Sequence, residues 1–497
     1  MTRAFETVIG LEVHVQLATE TKLFCSCPTS YIGKEPNSMV CPVCLGLPGT
    51  LPSLNGRAVE LGITAALAMG CSINRNSRFH RKNYFYPDLP KAFQISQYDL
   101  PLAVCGSIPI FIGGRKKIIG ITRLHLEEDA GKLVHGSSDG RLSGTSFSLV
   151  DYNRAGIPLA EIVSEPDLSS PEEAREYVLA IRRLVRYLGV SDGDMESGSL
   201  RVDANISQKC TDGRWGNRVE IKNLNSVRAM ERALEHETVR QRDILTGGGA
   251  VKQETRHWDD VAGSTRPTRG KEEAHDYRYF PEPDLPAIVV CDPMVRRLEE
   301  GIPELPWAKR ERFEMEWGLD PMDSTALSER LDVAEFLEGV VAAGADSGIS
   351  ANWVRTDIMR ILKETGLKAD ELPFTPEALG DLLVKISKGV LSNTAAKDVL
   401  EQMYRKGLDV AAAMNAAGVD PGGISEGTLE GVIRKVLEAN PVEAGLILSG
   451  EDPSGKKKKF LQGLVMREIR GQSPVQDVAS MMDKVMGEMK KPNGSSV

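Results

Sequence analysis

The sequence predicts an α+β protein with an all-helical continuation, and three observations point there. Over roughly the first 292 residues, short stretches of alternating apolar and polar residues are interspersed with capped helical stretches, without a regular strand–helix–strand period. From about residue 295 onward, helix starts and apolar stripes of helical period dominate. All eight cysteines and all seven histidines lie before residue 292, so the side chains best suited to metal and acid–base chemistry belong to the mixed region. At 497 residues the chain is too long for a single core. The expected division is a mixed domain over 1–292, a helical domain over 293–407 and a second helical domain over 408–490.

The first strand is Val8 to Leu17, where Leu11, Val13, Val15 and Leu17 share one face and Glu12, His14 and Gln16 the other. Arg201 to Ile206 repeats the pattern, grouping Arg201, Asp203 and Asn205, and Val219 to Lys222 is a shorter case. Ser170-Pro171-Glu172-Glu173 opens a helix, with an N-cap serine, a first-turn proline and a glutamate completing a capping box; it should end near Leu188-Gly189. Another helix should start after Ser226 and stop at Gly247-Gly248-Gly249. In the helical region, Thr375-Pro376-Glu377, Ser425 to Thr428 and Ser473-Pro474 read as helix starts. Val432, Ile433, Val436 and Leu437 form one stripe, and Phe460, Leu464, Val465 and Ile469 another. The turn at Gly407 separates the two helical domains, and Lys490 to Val497 read as a frayed end.

Composition excludes several classes. No apolar run approaches the ~18 residues of a membrane helix, and Met1 to Glu6 lead straight into strand-like sequence without a secretory stretch, so a cytoplasmic location is expected. The net charge of −9 argues against wholesale capture of nucleic acid but allows a local basic face. There is no G-x4-G-K-[ST], no dinucleotide fingerprint in a strand–helix setting and no G-x-S-x-G. If ATP is used, it is not through a P-loop.

Five groups of residues can carry chemistry. Cys25-Ser26-Cys27 and Cys41-Pro42-Val43-Cys44, separated by thirteen residues, can supply four thiolates to a tetrahedral zinc. A closed four-sulfur site leaves no position for substrate, so its role would be structural; reduced cysteines without metal are the alternative. Glu12 and His14 project from one strand face about 7 Å apart and can converge on one ion only with ligands from elsewhere; a solvated polar face is the competing reading. The acids of His125-Leu126-Glu127-Glu128-Asp129, with Glu161, Asp203 and Glu220, suit Mg²⁺. Strand parity puts Glu128 with Leu124 and Leu126, so Glu128 is the expected inward acid and needs a metal or a lysine beside it. Arg78 to Asp88 interleaves basic and aromatic residues, which suits phosphate contact and base stacking or, equally, a packed aromatic face beside a solvated basic one. Lys456-Lys457-Lys458-Lys459 is a compact basic patch just before a helix that can meet an RNA backbone, though such runs are often only solvated.

These residues stand within longer motifs: Glu6 to His14, Arg81 to Asp88, Leu124 to Lys132, Glu161 to Asp167, Gly198 to Asn205, Lys222 to Ser226 and Asp276 to Asp284. Together they closely resemble the B subunits of glutamyl/aspartyl-tRNA amidotransferases, in the family's order through most of the first 290 residues; the helical remainder fits more loosely. The resemblance implies a cradle-shaped α+β catalytic domain with a largely antiparallel sheet, a helical domain and a helical tail domain that docks on tRNA. It implies a ligase working with two partners, an amidase (A) subunit that releases ammonia from glutamine and a small bridging (C) subunit. Its substrates would be misacylated tRNA(Gln) or tRNA(Asn), whose side-chain carboxylate is phosphorylated with ATP and Mg²⁺ and then amidated. Glu12, His14, Glu128 and Glu161 fall where the family places Mg²⁺ and phosphate chemistry, Asp203 and Glu220 are further candidates for that cluster, and Lys82 would be the cation facing the acyl phosphate or nucleotide. Cys25, Cys27, Cys41 and Cys44 match the zinc knuckle of members that keep it. Glu282-Pro283-Asp284-Leu285 runs on to Ile302-Pro303-Glu304 without room for the inserted synthetase-like domain of an archaeal relative, which favours the three-subunit form. Two other readings stay open, a zinc-stabilised RNA-binding protein without chemistry and a stand-alone small-molecule kinase. ATP turnover separates the first, and the long helical region argues against the second.

Overall fold

Ile9, Leu11, Val13 and Val15 alternate with Gly10, Glu12 and His14, giving strand β1 (Phe5–Gln16) one buried apolar face and one polar face. The first unit, Met1–Trp307, is built on that division. The computed structural model describes residues 5–136, 146–210, 215–270, 277–419, 424–469, 473 and 475–490. Asp276, Pro474 and the end beyond Lys490 lie outside the described residues.

Strand β1 sits inside a nine-stranded sheet whose other strands are β2 (Ser72–Ile73), β3 (Ala103–Ile112), β4 (Arg115–Glu128), β5 (Pro158–Ser164), β6 (Leu200–Cys210), β7 (Val219–Leu224), β8 (Glu254–Asp259) and β9 (Ser264–Gly270). The spatial order is β9-β8-β7-β6-β1-β5-β4-β3-β2, antiparallel except where β7 meets β8. Helices α1 (Gly56–Ala68), α2 (Pro171–Tyr187) and α3 (Val227–Thr246) cover the apolar face, and their buried residues share one core with Ile9, Leu11, Val13, Leu124, Leu126 and Val202. Each buried Val, Leu, Ile or Met side chain of this core contributes about 1.5–3 kcal/mol by leaving water. At Gly62 of α1 a Cβ would lie 2.8 Å from Leu102 Cδ2 and 3.0 Å from Leu126 Cδ2, so glycine sets how closely that helix approaches the sheet.

The helix ends follow capping chemistry. Ser170 Oγ accepts from Glu173 N at 3.1 Å, but the returning arm of the expected capping box reaches one residue further, Glu173 Oε2 accepting from Ser169 N at 2.6 Å. That carboxylate also meets Lys117 Nζ of β4 at 2.7 Å, a tertiary partner that draws it off Ser170.

One buried acid of α3 ties helix to sheet. Glu237 is fully buried, accepts from Arg240 Nε and Nη2 at 2.8 Å each, lies 3.1 Å from Arg256 Nε of β8, and accepts from Thr265 Oγ1. Glu237→Ala strips Arg240 of its counter-charge, leaves Arg256 with Glu254 alone, and is expected to destabilise the first unit by about 3 kcal/mol, since breaking a buried pair leaves an uncompensated charge. Urea unfolding of the chain measures this, and a loss below about 1 kcal/mol would show that the network contributes little.

The first unit ends beyond the expected residue 292. Val295 and Leu298 of helix α4 (Asp292–Glu300) belong to its core, with Leu305 and Trp307 packed against it. The second unit, Ala308–Val497, is all helical among its described residues and has two apolar cores. One runs from Phe313 to Val419 and the other from Leu429 to Met486. Gly407, at φ 61°, ends the helix Asn393–Lys406, as the sequence predicts. The helix Val410–Ala416 nevertheless returns to the same core, because a left-handed cap stops a helix without ending a domain. In the later core Ile433 and Leu437 are buried as expected, whereas Leu461 takes the position expected of Phe460, which is 52% exposed. No described helix is long and apolar enough to cross a membrane.

Candidate active site

Opposed residues of antiparallel strands put their side chains on the same face. His125 of β4 faces Glu161 of β5, Glu161 faces His14 of β1, and His14 faces Arg201 of β6. Glu12 faces Asp203, and Asn205 faces Glu220 of β7. Six residues foreseen as chemical, Glu12, His14, Glu161, Asp203, Glu220 and Lys82, thus converge on the polar face of the sheet, Lys82 reaching it from outside.

The polar face holds two groups of three ligands. His14, Glu127 and Glu161 form one, Glu12, Asp203 and Glu220 the other, and in each the three donor atoms lie within 4.8 Å of one another. His14 Nε2 is 3.1 Å from Glu161 Oε2 and 3.7 Å from Glu127 Oε1. His125 Nε2 is 3.6 Å and 3.7 Å from the same two carboxylates, and Ser96 Oγ donates to Glu127 Oε2 at 3.2 Å. In the second group Asn205 Nδ2 donates to Glu12 Oε1 at 3.0 Å, Lys222 Nζ lies 3.0 Å from Asp203 and 3.4 Å from Glu220, and Thr255 Oγ1 donates to Glu220 at 2.9 Å.

The electrostatics suit cations. Burial disfavours the His14 imidazolium, but Glu161, joined by Glu127 and Asp203, more than offsets this and holds its pKa up at about 9. Burial likewise opposes ionisation of Glu161, yet His125, His14 and Lys82 hold its pKa well below the ordinary carboxylate range. Glu12 is pushed the other way, first by burial and then by Glu161. Two repelling carboxylates on neighbouring groups are the arrangement that a divalent ion relieves, and oxygen-rich donors with one imidazole fit Mg²⁺ or Mn²⁺.

Lys82 comes from the short strand His80–Asn83, paired with Phe93–Ser96 and Phe280–Pro281 in a separate three-stranded sheet. Its ammonium lies 4.9 Å from the Tyr277 ring centroid and 5.8 Å from that of Tyr84. Burial acts against its charge, but Glu127 and Glu161 outweigh that and raise its pKa. A half-buried, charged lysine beside the His14 group is placed to meet an anionic reaction centre.

Glu128 does not join these groups. Its parity with Leu124 and Leu126 is as expected, but that parity takes it off the polar face, where Lys91 Nζ meets it at 2.6 Å and Ile95 N donates to it at 2.9 Å. The expectation that Glu128 shares an ion with Glu12, His14 and Glu161 is therefore corrected: Glu127 occupies that place. The alternation Leu124-His125-Leu126-Glu127 carried the signal, since it sets His125 and Glu127 opposite the leucines just as Glu12 and His14 stand opposite Leu11 and Val13.

Away from this face, the sulfurs of Cys25, Cys27, Cys41 and Cys44 lie within 4.8 Å of one another. Four sulfurs at ~2.3 Å from a common tetrahedral centre would stand ~3.8 Å apart, so the set fits zinc after small movements. Cys41 N donates to Cys44 Sγ at 3.1 Å, and the fully buried Lys22 places Nζ 3.7 Å from that sulfur while donating to Met39 O at 2.8 Å. The Cys25 thiol and the Lys22 ammonium help lower the Cys44 pKa to about 4, the Cys25 hydrogen bond most of all.

In the second unit, Lys456 to Lys459 form the first turn of the helix Lys456–Glu468 rather than the loop before it. Asp452 explains the difference, its carboxylate accepting from Lys458 N at 3.0 Å and capping the turn. Lys458 also pairs with Asp483 at 2.6 Å, while Lys456, Lys459 and the adjacent Phe460 lie at the surface. Cations at a helix N-terminus repel its dipole, a cost that an anion in solution can relieve. Neutralising Lys456, Lys457 and Lys459 to alanine is expected to weaken tRNA binding and flatten its salt dependence by about one unit of slope for each phosphate no longer neutralised. Binding isotherms at several salt concentrations measure this; an unaltered slope would assign the lysines to solvent.

With this geometry in view, comparison with known proteins is decisive about family. The model of the GatB/GatE catalytic domain matches residues 7–296, and that of the GatB domain matches 335–486. A protein of Thermoanaerobacter pseudethanolicus, named as the B subunit of an aspartyl/glutamyl-tRNA(Asn/Gln) amidotransferase, is 47% identical over 470 residues, covering 94% of this chain and 96% of its own. Proteins of the same name from Carboxydothermus hydrogenoformans and Thermosynechococcus vestitus are 46% and 48% identical, over 97% and 94% of this chain and 98% and 94% of theirs. Both the family models and the full-length similarity place the chain in the GatB/GatE family of amidotransferase B subunits.

Proposed function

We propose that this chain is the ATP-using, tRNA-binding subunit of a tRNA-dependent amidotransferase, a carbon–nitrogen ligase working with an amidase (A) subunit and a small bridging (C) subunit. The observation that carries the reading is the cross-strand row that gathers two carboxylate groups on one face of one sheet, with the half-buried Lys82 reaching them from a separate sheet. The substrate is the side-chain carboxylate of glutamate on tRNA(Gln) or of aspartate on tRNA(Asn).

A carboxylate is a poor electrophile. Moving the γ-phosphoryl group of ATP onto one of its oxygens makes an acyl phosphate and ADP; ammonia then attacks the carbonyl carbon, and phosphate leaves as the amide forms. Mg²⁺ would be held by His14, Glu127 and Glu161 on one side and by Glu12, Asp203 and Glu220 on the other, and when bound it offsets phosphoryl charge. The protein's own residues supply alignment. Asn205, Lys222 and Thr255 fix the second carboxylate group, and His125 and Ser96 fix the first. Lys82 faces the acyl phosphate and stabilises the charge that develops on its oxygens. The four cysteines hold a structural zinc, and the lysines near 456 receive the tRNA backbone.

The test supplies the assembled complex with each misacylated tRNA, ATP, Mg²⁺ and glutamine, and follows inorganic phosphate and amide together. Phosphate released in step with amide is the expected result. Binding of tRNA with no phosphate release would instead favour an RNA-binding protein that lacks the chemistry.

A further inference from the structure

Two cysteines that belong neither to the knuckle nor to the polar face meet at the edge of the nine-stranded sheet. Cys71 leads from the turn after α1 into the edge strand β2, and Cys105 lies in β3. Ser72 of β2 pairs with Val104 and Ile73 with Ala103. On the other side of the cysteines, Ser107 N donates to Met69 O at 2.8 Å. Both contacts obey one register, and that register sets Cys71 opposite Cys105. Opposed residues of an antiparallel pair have Cα atoms about 4.5–5.5 Å apart, within the roughly 4.4–6.8 Å that a disulfide spans.

The backbone at this point is shaped around a sulfur. Ala103 is buried, as are Ile108 and Ile110, so the alternation of β3 shifts once between them. Cys105 lies within that shift at φ 57°, in the left-handed region that a cysteine seldom occupies. The next residue, Gly106, leaves room for Cys71: a Cβ there would lie 2.2 Å from its Sγ. The Cys71 sulfur therefore packs against the chain one residue from Cys105.

The two thiols differ in access. Cys71 is buried and Cys105 is exposed, and both are free. Burial, and after it the neighbouring Cys105, pushes the Cys71 thiol up to about 12. An exposed thiol meets an oxidant first, and a buried one that resists oxidation by itself is left to resolve the product.

We propose that Cys71 and Cys105 form a peroxide-responsive pair whose disulfide tethers the segment between them. The Cys105 thiolate takes one oxygen of hydrogen peroxide as the O–O bond breaks, becoming a sulfenic acid, and the other oxygen leaves as hydroxide. The Cys71 sulfur then attacks the sulfenic sulfur, the S–S bond forms, and the departing hydroxyl leaves as water with the Cys71 proton. Two thiols and one peroxide thus give one disulfide and two waters. The loop closed in this way contains Lys82 and Lys91. Oxidation therefore fixes both ends of the segment that brings Lys82 to Glu127 and Glu161, and Lys91 to Glu128.

The test treats the intact complex, kept in zinc, with hydrogen peroxide, blocks the remaining thiols with iodoacetamide and maps unreduced peptides by mass spectrometry. A linked Cys71–Cys105 peptide that dithiothreitol removes is expected, with the melting temperature of the linked complex raised by roughly 5 °C. At the same peroxide dose Cys105→Ser should leave Cys71 reduced, and Cys71→Ala should leave Cys105 as a sulfenic acid that dimedone captures. Cys105 is exposed, so its variant tests the pair without disturbing the core. Oxidation of Cys105 while Cys71 is still alkylated overturns the proposal, as does a wild-type complex in which neither thiol reacts. A linked peptide with no rise in melting temperature removes the tether and overturns it too.

Discussion

Glu161→Gln is expected to abolish ATP-dependent amide formation by the assembled complex, lowering kcat at least ~10³-fold while tRNA affinity stays within about twofold of wild type. Glu161 is the hinge of the cross-strand row, 3.1 Å from His14, 3.6 Å from His125 and 3.8 Å from Arg123. Glutamine keeps its shape and removes its charge. The imidazoles and Lys82 are then left with Glu127 alone, Arg123 loses the carboxylate 3.8 Å away, and the first group keeps one anionic ligand. Glu127→Gln should behave in the same way and raise the Mg²⁺ concentration needed for half-maximal phosphate release. Glu128→Gln should not raise it, because its carboxylate serves Lys91; its loss leaves a half-buried ammonium without a counter-charge and should appear as a lowered melting temperature. Phosphate release and amide formation, titrated with Mg²⁺, measure all three. Wild-type turnover by Glu161→Gln would remove the row from the chemistry.

The contrast between Glu127 and Glu128 shows what was legible in the sequence. Alternation in β1 and β6 brought out Glu12, His14 and Asp203 because strand periodicity is local and needs no partner to be read. It also assigned the parity of Glu128 correctly. What it could not say was which face carries chemistry, since that depends on where the helices pack. An inward acid needs a metal or a lysine beside it, and only the fold selects between them, by bringing Lys91 from a segment 37 residues earlier to neutralise Glu128. The same limit applies to Lys456 to Lys459, whose place inside a helix depends on the carboxylate of Asp452. It applies again to the end of the first unit, which α4 extends by contributing Val295 and Leu298 to a core whose other members begin at Ile9.

Replacing Cys41 and Cys44 together by serine is expected to release one equivalent of zinc and to lower the melting temperature by roughly 5–10 °C, before any direct effect on chemistry. The reasoning starts from charge. Four thiolates on a divalent ion carry two surplus negative charges, and the four cysteines are half-buried or buried. Lys22 is the compensation: fully buried, it places Nζ 3.7 Å from Cys44 Sγ while holding Met39 O at 2.8 Å and Tyr152 O at 3.4 Å. It thus joins the cysteine loop to the loop after Asp151, alongside the bonds that Met39 N donates to Asn153 Oδ1 at 2.8 Å and Asn37 N to Asp151 Oδ1 at 3.0 Å. Lys22→Met keeps all four sulfurs and removes only that tie, so it should bind zinc ~10–100-fold more weakly, the range found when an outer-shell partner of a metal ligand is lost. Zinc content by elemental analysis and the rate of transfer to a chromogenic chelator separate the two variants. Losing the ion entirely in the double serine variant, but only faster release in Lys22→Met, is the expected pattern. A chain that carries no zinc when purified with the metal present, and melts unchanged after both substitutions, would leave these cysteines as four ordinary thiols.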